Sequence, residues 1–117
     1  MYKCGDIITI PFPFTDSGKV KRRPTVVICD QNYINASNHV MVCMITTAKN
    51  SAWDDDIAIE KWPDAGLNVP CVIRFKVTTL AVPQIIKHVG TLHHDDFNKL
   101  KNRLVSSVFS ELLSHEK

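Results

Sequence analysis

The chain lacks any uninterrupted apolar run of the ~18 residues that a membrane-spanning helix needs. Its start carries Lys3 and Asp6 within strand-like alternation, so no cleaved signal peptide and no membrane attachment are expected. Glycine is scarce, four in 117 residues, and none builds a Gly-rich phosphate loop. Nucleotide-cofactor enzymes of the Rossmann or P-loop kind are thereby excluded on motif grounds. The four cysteines, Cys4, Cys29, Cys43 and Cys71, include no Cys-x-x-Cys pair, and three of them lie inside apolar runs. They read as reduced, buried side chains of a cytoplasmic protein rather than disulfides or metal ligands. His-Glu-x-x-His, Gly-x-Ser-x-Gly and a convincing Cys/His pair are all absent. His93-His94-Asp95-Asp96 has metal-capable groups but no further ligand at useful spacing, so it reads as a polar cluster where a helix begins. His39, His88 and His115 are isolated. No metal and no cofactor is expected.

What is present fits one globular domain over residues 1–117, with 44% hydrophobic and 22% charged residues. The net charge of +2 is small, but its distribution is uneven. Lys19, Lys21, Arg22 and Arg23 make a basic loop, and Asp54, Asp55 and Asp56 an acidic turn. One local basic patch on a near-neutral surface suits a polyanion bound at one groove. A solvated charged loop is the plainer alternative. Trp53 and Trp62 flank the acidic turn, where they could stack bases or pack beneath a loop.

Residues 6–12 alternate and are β-branched, which predicts a strand; Pro11 and Pro13 then end pairing or confine it to an edge. A polar loop follows over 15–22, then an apolar strand over 25–29 and a turn-rich loop over 30–38. Further strands are predicted over 40–47, 56–60, 69–77 and 84–92. From about Asp95 the period changes: Phe97, Leu100, Leu104, Val108 and Leu112 recur at the spacing of one helix face. Many short strands and one terminal helix argue for a mainly β (α+β) fold, a small curled antiparallel sheet closed by a helix.

Three residues stand out chemically. Arg23 precedes Pro24, whose ring pushes it into extended geometry where a loop becomes a strand. A guanidinium fixed in that way suits a phosphate. Thr46, in Ile45-Thr46-Thr47 at the end of a long strand, could donate to a phosphate oxygen or simply reflect β propensity. Arg74 sits mid-strand between apolar residues, where an unpaired charge is costly. It either faces a groove or pairs with a carboxylate such as Asp6 or Asp16, and Lys76 shares its face.

Several segments together resemble the PemK/MazF family of toxin ribonucleases. They are Gly5-Asp6-Ile7 through Pro11-Phe12-Pro13-Phe14-Thr15-Asp16, Lys21-Arg22-Arg23-Pro24 and Val42-Cys43-Met44-Ile45-Thr46-Thr47. Ala65-Gly66-Leu67, Cys71-Val72-Ile73-Arg74 and Val89-Gly90-Thr91-Leu92 continue the match in order over nearly the whole chain. The resemblance implies an SH3-like barrel that forms a homodimer and cleaves single-stranded RNA, mainly mRNA, without a metal. It also implies a cognate antitoxin whose flexible tail occupies the RNA groove and folds on binding.

By the same resemblance, the arginine before the proline and the threonine ending the long strand form the catalytic pair, here Arg23 and Thr46. Arg74 matches the arginine of a family Arg-x-Asp pair and is the third catalytic candidate, but the aspartate position holds Lys76. A lysine serves as general base only when neutral. Lys19, Lys21, Arg22, Thr47 and Lys76 are the expected RNA contacts. Two other readings share the fold. One is a catalytically degenerate binder of RNA or antitoxin, which Lys76 favours. The other is a gyrase poison, whose terminal-helix tryptophan has no counterpart after Phe109.

Overall fold

A computed structural model of the chain describes residues 2–12 and 21–114. The expectations placed on Lys19 and Asp16 fall outside these described residues. Among the described residues six strands, β1 (Asp6–Phe12), β2 (Lys21–Val27), β3 (His39–Thr47), β4 (Ile57–Ile59), β5 (Cys71–Ala81) and β6 (Lys87–Thr91), form one antiparallel sheet in the order β4-β5-β3-β2-β1-β6. A short helix α1 (Gln31–Ser37) joins β2 to β3. The chain ends in α2 (His94–Leu104), a π-helical turn over Val105–Phe109, and α3 (Ser110–Ser114). The architecture is the mainly β, SH3-like half-barrel with a C-terminal helix that the strand pattern and the resemblance imply.

Strand alternation feeds two cores, one on each face of the sheet. Ile7, Val26, Cys43, Ile45 and Ile73 pack with Leu100 and Phe97 of α2. Ile8, Ile10, Val27, Val42 and Met44 face the other way and pack with Ile34 of α1. Each fully buried aliphatic side chain is worth roughly 1.5–3 kcal/mol of transfer free energy, so neither face can be left open. Asp96, in the first turn of α2, is 1% exposed and ties that helix to the end of β4. Its carboxylate accepts from the Glu60 and Lys61 amides at 3.1 and 2.9 Å and pairs with Lys99 at 3.2 Å. Burial alone would raise its pKa; these donors and the Lys99 charge hold it below the ordinary value.

Several boundaries differ from the sequence expectation. Residues 31–37 form a helix rather than a loop: Asp30 caps it by accepting from the Tyr33 amide at 2.9 Å, and Asn38 closes it in the left-handed region at φ 55°. β5 begins only after Pro70 and runs to Ala81, and a tight turn over Val82–Gln84 shortens β6. β2 begins at Lys21, four residues earlier than expected, because it pairs with β1 through Pro11↔Arg22 and Phe12↔Lys21. Beyond Thr9, β1 has no pairing to β6, so the missing donor of Pro11 falls where no described strand pairs on that side. The helix stripe is packed only at Phe97, Leu100 and Leu104; Val108 and Leu112, beyond the start of the π turn, are exposed.

Candidate functional site

The β2–β3 ladder runs through Val27↔Val42 and Val26↔Cys43 and stops at Thr25↔Met44. The next residue of β2 is Pro24, which has no N–H to donate, so the two strands part there. Continuing the register by two residues sets Arg23 across from Thr46, on the same side of the sheet. Thr25 anchors the junction: its buried hydroxyl donates to the Ile8 carbonyl at 3.0 Å. Where the strands part lies a groove of about 340 Å³. Its polar lining is Thr9, Arg23, Thr46, Thr47, Asn68 and Lys87, over an apolar floor that includes Ile45, Leu67, Val69 and Val89. Thr46 is buried and Arg23 half-buried, so both are held by the surrounding sheet.

The far wall of the groove depends on two glycines. Gly66 has φ +85°, and a Cβ there would sit 2.6 Å from the Val89 carbonyl oxygen. A Cβ on Gly90 would sit 2.3 Å from the Ala65 carbonyl oxygen. Backbone therefore lies directly on backbone between the 62–67 turn and β6. That contact brings Leu67, Asn68 and Val69 alongside Lys87 and Val89. The Ala65-Gly66-Leu67 and Val89-Gly90-Thr91 segments are thus two halves of one packing contact.

Among the described lining residues the charged groups are Arg23 and Lys87, and none is a carboxylate or an imidazole. Cys71 also lines the groove, but burial pushes its thiol up, so it stays protonated at neutral pH. The site offers two cations, three hydroxyls and an amide. That set suits the oxygens of a phosphodiester and the edges of nucleobases.

Arg74 lies elsewhere. Its Nε donates to Asp56 Oδ1 at 3.1 Å, and its Nη2 donates to Asp56 Oδ2 at 2.8 Å and to the Asn50 carbonyl at 3.1 Å. Among the described residues the carboxylate partner is Asp56 and not Asp6, which accepts from the Lys3 amide and ammonium and from Thr91. Burial would raise the pKa of Asp56, but hydrogen bonds from Arg74, Ser51 and the Trp53 amide, with the Arg74 charge, hold it below the ordinary value. The same pair and its hydrogen bonds raise the pKa of Arg74 against the effect of burial. Arg74 does not line the groove; it pins the segment between β3 and β4.

Of the residues singled out in the sequence, the structure brings Arg23, Thr46 and Thr47 together. Lys21 and Arg22 are exposed on β2 and do not line the groove. Phe75 and Lys76 form a two-residue bulge in β5, and the Lys76 ammonium lies 5.7 Å from the Trp53 ring centroid. His93, His94 and Asp95 have ligand atoms close enough to hold a metal ion, but none lines the groove. His93 serves as the α2 cap, its Nδ1 accepting from the Asp95 amide at 3.1 Å. Sequence reasoning missed Thr9, Asn68 and Lys87. Lys87 reaches the groove because the last strand pairs with the first, Thr9↔Lys87, a juxtaposition that no local pattern encodes.

The sequence model of the family described as "PemK-like, MazF-like toxin of type II toxin-antitoxin system" matches residues 3–108. No curated protein matches the sequence. Among solved structures, the fold is similar to an "Endoribonuclease in complex with its cognate antitoxin from Mycobacterial species", with TM-score 0.72 at 13% identity over 92% of this chain and 95% of that one. It is also similar to "Mycobacterium tuberculosis toxin MazF-mt6", with TM-score 0.69 at 19% identity over 86% and 93%. A MazE–MazF structure from Deinococcus radiodurans gives TM-score 0.66 at 14% identity over 90% and 92%. At these identities the likeness is one of fold.

Proposed function

We propose that this chain, which belongs to the PemK-like, MazF-like toxins of type II toxin–antitoxin systems, is an endoribonuclease that cuts single-stranded RNA such as mRNA at specific sequences. The observation that carries the reading is the shared groove of Arg23 and Thr46 where Pro24 ends the ladder. The ribose 2′-hydroxyl attacks the adjacent phosphorus in line with the departing 5′-oxygen, leaving a 2′,3′-cyclic phosphate and a 5′-hydroxyl. Arg23 stabilises the charge that develops on the phosphate oxygens, and Thr46 donates to the same group. Lys87 is a further phosphate contact from the opposite wall, and Asn68 and Thr47 face the flanking nucleotide. Guanidinium, ammonium and hydroxyl donors do the electrostatic work here, and the groove's described side chains include no carboxylate or imidazole to hold a divalent cation. Such cleavage of mRNA would inhibit translation and growth.

The partners follow from the same reading. A cognate antitoxin is the protein partner, in keeping with the cognate antitoxin bound to the similar mycobacterial endoribonuclease, and the groove is where its tail would lie. A homodimer is supported by Val105, Val108, Phe109 and Leu112, apolar side chains left exposed on the terminal helical segment. No described helix is long and apolar enough to cross a membrane. The buried free thiols suit a reducing compartment such as the cytoplasm.

A non-catalytic RNA or antitoxin binder is the second reading, favoured by the lack of a carboxylate base among the described groove residues. Incubating purified protein with single-stranded RNA and excess chelator decides between them. Nuclease action gives new 5′-hydroxyl ends and cyclic phosphates at a recurrent sequence. Retention of intact RNA by the protein supports the binder.

A further inference from the structure

Trp53 is 44% exposed, yet its surroundings are tightly organised. The Arg74 guanidinium carbon lies 5.1 Å from the ring centroid, and the Lys76 ammonium lies 5.7 Å from it. Arg74 already has Asp56 and the Asn50 carbonyl as hydrogen-bond acceptors, so it does not depend on the ring for a partner. Beneath the tryptophan, Asp56 Oδ2 accepts from the Ser51 hydroxyl at 3.0 Å, the Ala52 amide at 3.2 Å and the Trp53 amide at 3.3 Å. The backbone that carries the ring is therefore fixed by a nearly buried ion pair. At its other end the segment is joined to the groove, where Asn50 Nδ2 donates to Thr47 Oγ1 at 2.9 Å.

The sequence offers Trp53 and Trp62 as packing or stacking residues alike, and the structure separates them. Trp62 packs against the core of the α2 face. Trp53 is kept in the open, on an anchored segment, among cations. A large exposed aromatic whose ordering cost is already met by the fold is a preorganised surface for another π-system.

We propose that Trp53 is a base-stacking subsite for single-stranded RNA running out of the groove past Thr47, with Arg74 as the residue that positions it. The subsite rests on the ribonuclease reading above, since that reading places RNA in the groove. Stacking an unpaired base on this ring should strengthen binding roughly 5- to 150-fold.

The test uses the full chain with 5-fluorotryptophan at both tryptophans, the two 19F resonances being assigned with Trp53→Phe. The probe is a fluorescently labelled, mixed-sequence single-stranded RNA with 2′-O-methyl riboses, which cannot be cut. On titration the Trp53 resonance should shift in step with RNA anisotropy while that of Trp62 stays put. Trp53→Ala should weaken binding by the factor above, and on cleavable RNA the loss should appear mainly in KM. Trp53→Phe, which keeps a ring and so guards against a folding defect, should recover most of the affinity. Parent protein that binds and cuts RNA with an unmoved Trp53 resonance and an unchanged Trp53→Ala affinity overturns the subsite alone. Binding through Trp53 without cleavage upholds the subsite and overturns the nuclease reading. A parent that binds no RNA overturns both.

Discussion

Replacing Arg74 by methionine should unfold the protein more than it disarms it. The two side chains of the Arg74–Asp56 pair are only 10% and 3% exposed, and they meet at 2.8 Å. Methionine fills much of the arginine stem's volume but leaves the Asp56 carboxylate buried without its charge partner. Breaking a buried pair from one side costs about 3–5 kcal/mol, a large share of the roughly 5–15 kcal/mol that holds a domain together. Asp56→Asn strands the arginine in turn and should cost a comparable amount. The double variant should lose less than the sum of the two, by at least about 1 kcal/mol, because the second change removes the charge stranded by the first. Urea unfolding of the four proteins measures this, each midpoint being read with its slope. If Arg74→Met keeps the parent midpoint and abolishes RNA cleavage, the arginine serves the reaction and the structural assignment is wrong.

Three further outcomes follow from the same geometry. Asp6, Asp56 and Asp96 are each held below the ordinary value of 3.8, hydrogen bonds from their partners outweighing burial, so the stability they contribute is present above that pH and is lost as the pH falls through their lower folded values. Urea midpoints should be flat above about pH 5 and drop below about pH 4, and a flat profile down to about pH 3 would contradict this. Gly90→Ala places a Cβ 2.3 Å from the Ala65 carbonyl oxygen and should cost about 1–3 kcal/mol while displacing the groove wall; an unchanged midpoint and RNA affinity would count against the backbone contact. Lys87→Ala should weaken single-stranded RNA binding and lessen the log–log salt slope by about 0.7, whereas an unchanged slope removes Lys87 from the groove's phosphate contacts.

Local pattern carries much of this fold. β1 has the bounds its β-branched alternation predicts, and α2 begins within a residue of the change in period at Asp95. The Arg23–Pro24 junction is legible because proline acts locally: it removes a donor, and the ladder opens beside it. α1 was legible in principle, since Asp30 and Asn38 are a helix start and stop, but Ile34 is its one buried side chain and the apolar period is too short to see. Arg74 shows where such reading ends. A mid-strand arginine demands a partner, yet nothing in the strand says that the partner is Asp56, 18 residues upstream beyond a turn. Lys87 is a stronger case still, for it joins Arg23 in the lining of one groove through the pairing of first and last strands.

In the proposed reaction Arg23 and Thr46 act together on one phosphodiester. Single-turnover cleavage of single-stranded RNA in excess chelator, by the parent, Arg23→Ala and Thr46→Val, probes that joint action when product ends are scored for 2′,3′-cyclic phosphate. Loss of one donor to the developing charge should slow cleavage about 10²–10³-fold for either variant, with urea midpoints near the parent's. The double variant should be little slower than the worse single one, because residues acting as a unit are not additive. Cleavage by Arg23→Ala at the parent's rate, or product ends without cyclic phosphate, would rule out this pair as the catalytic one.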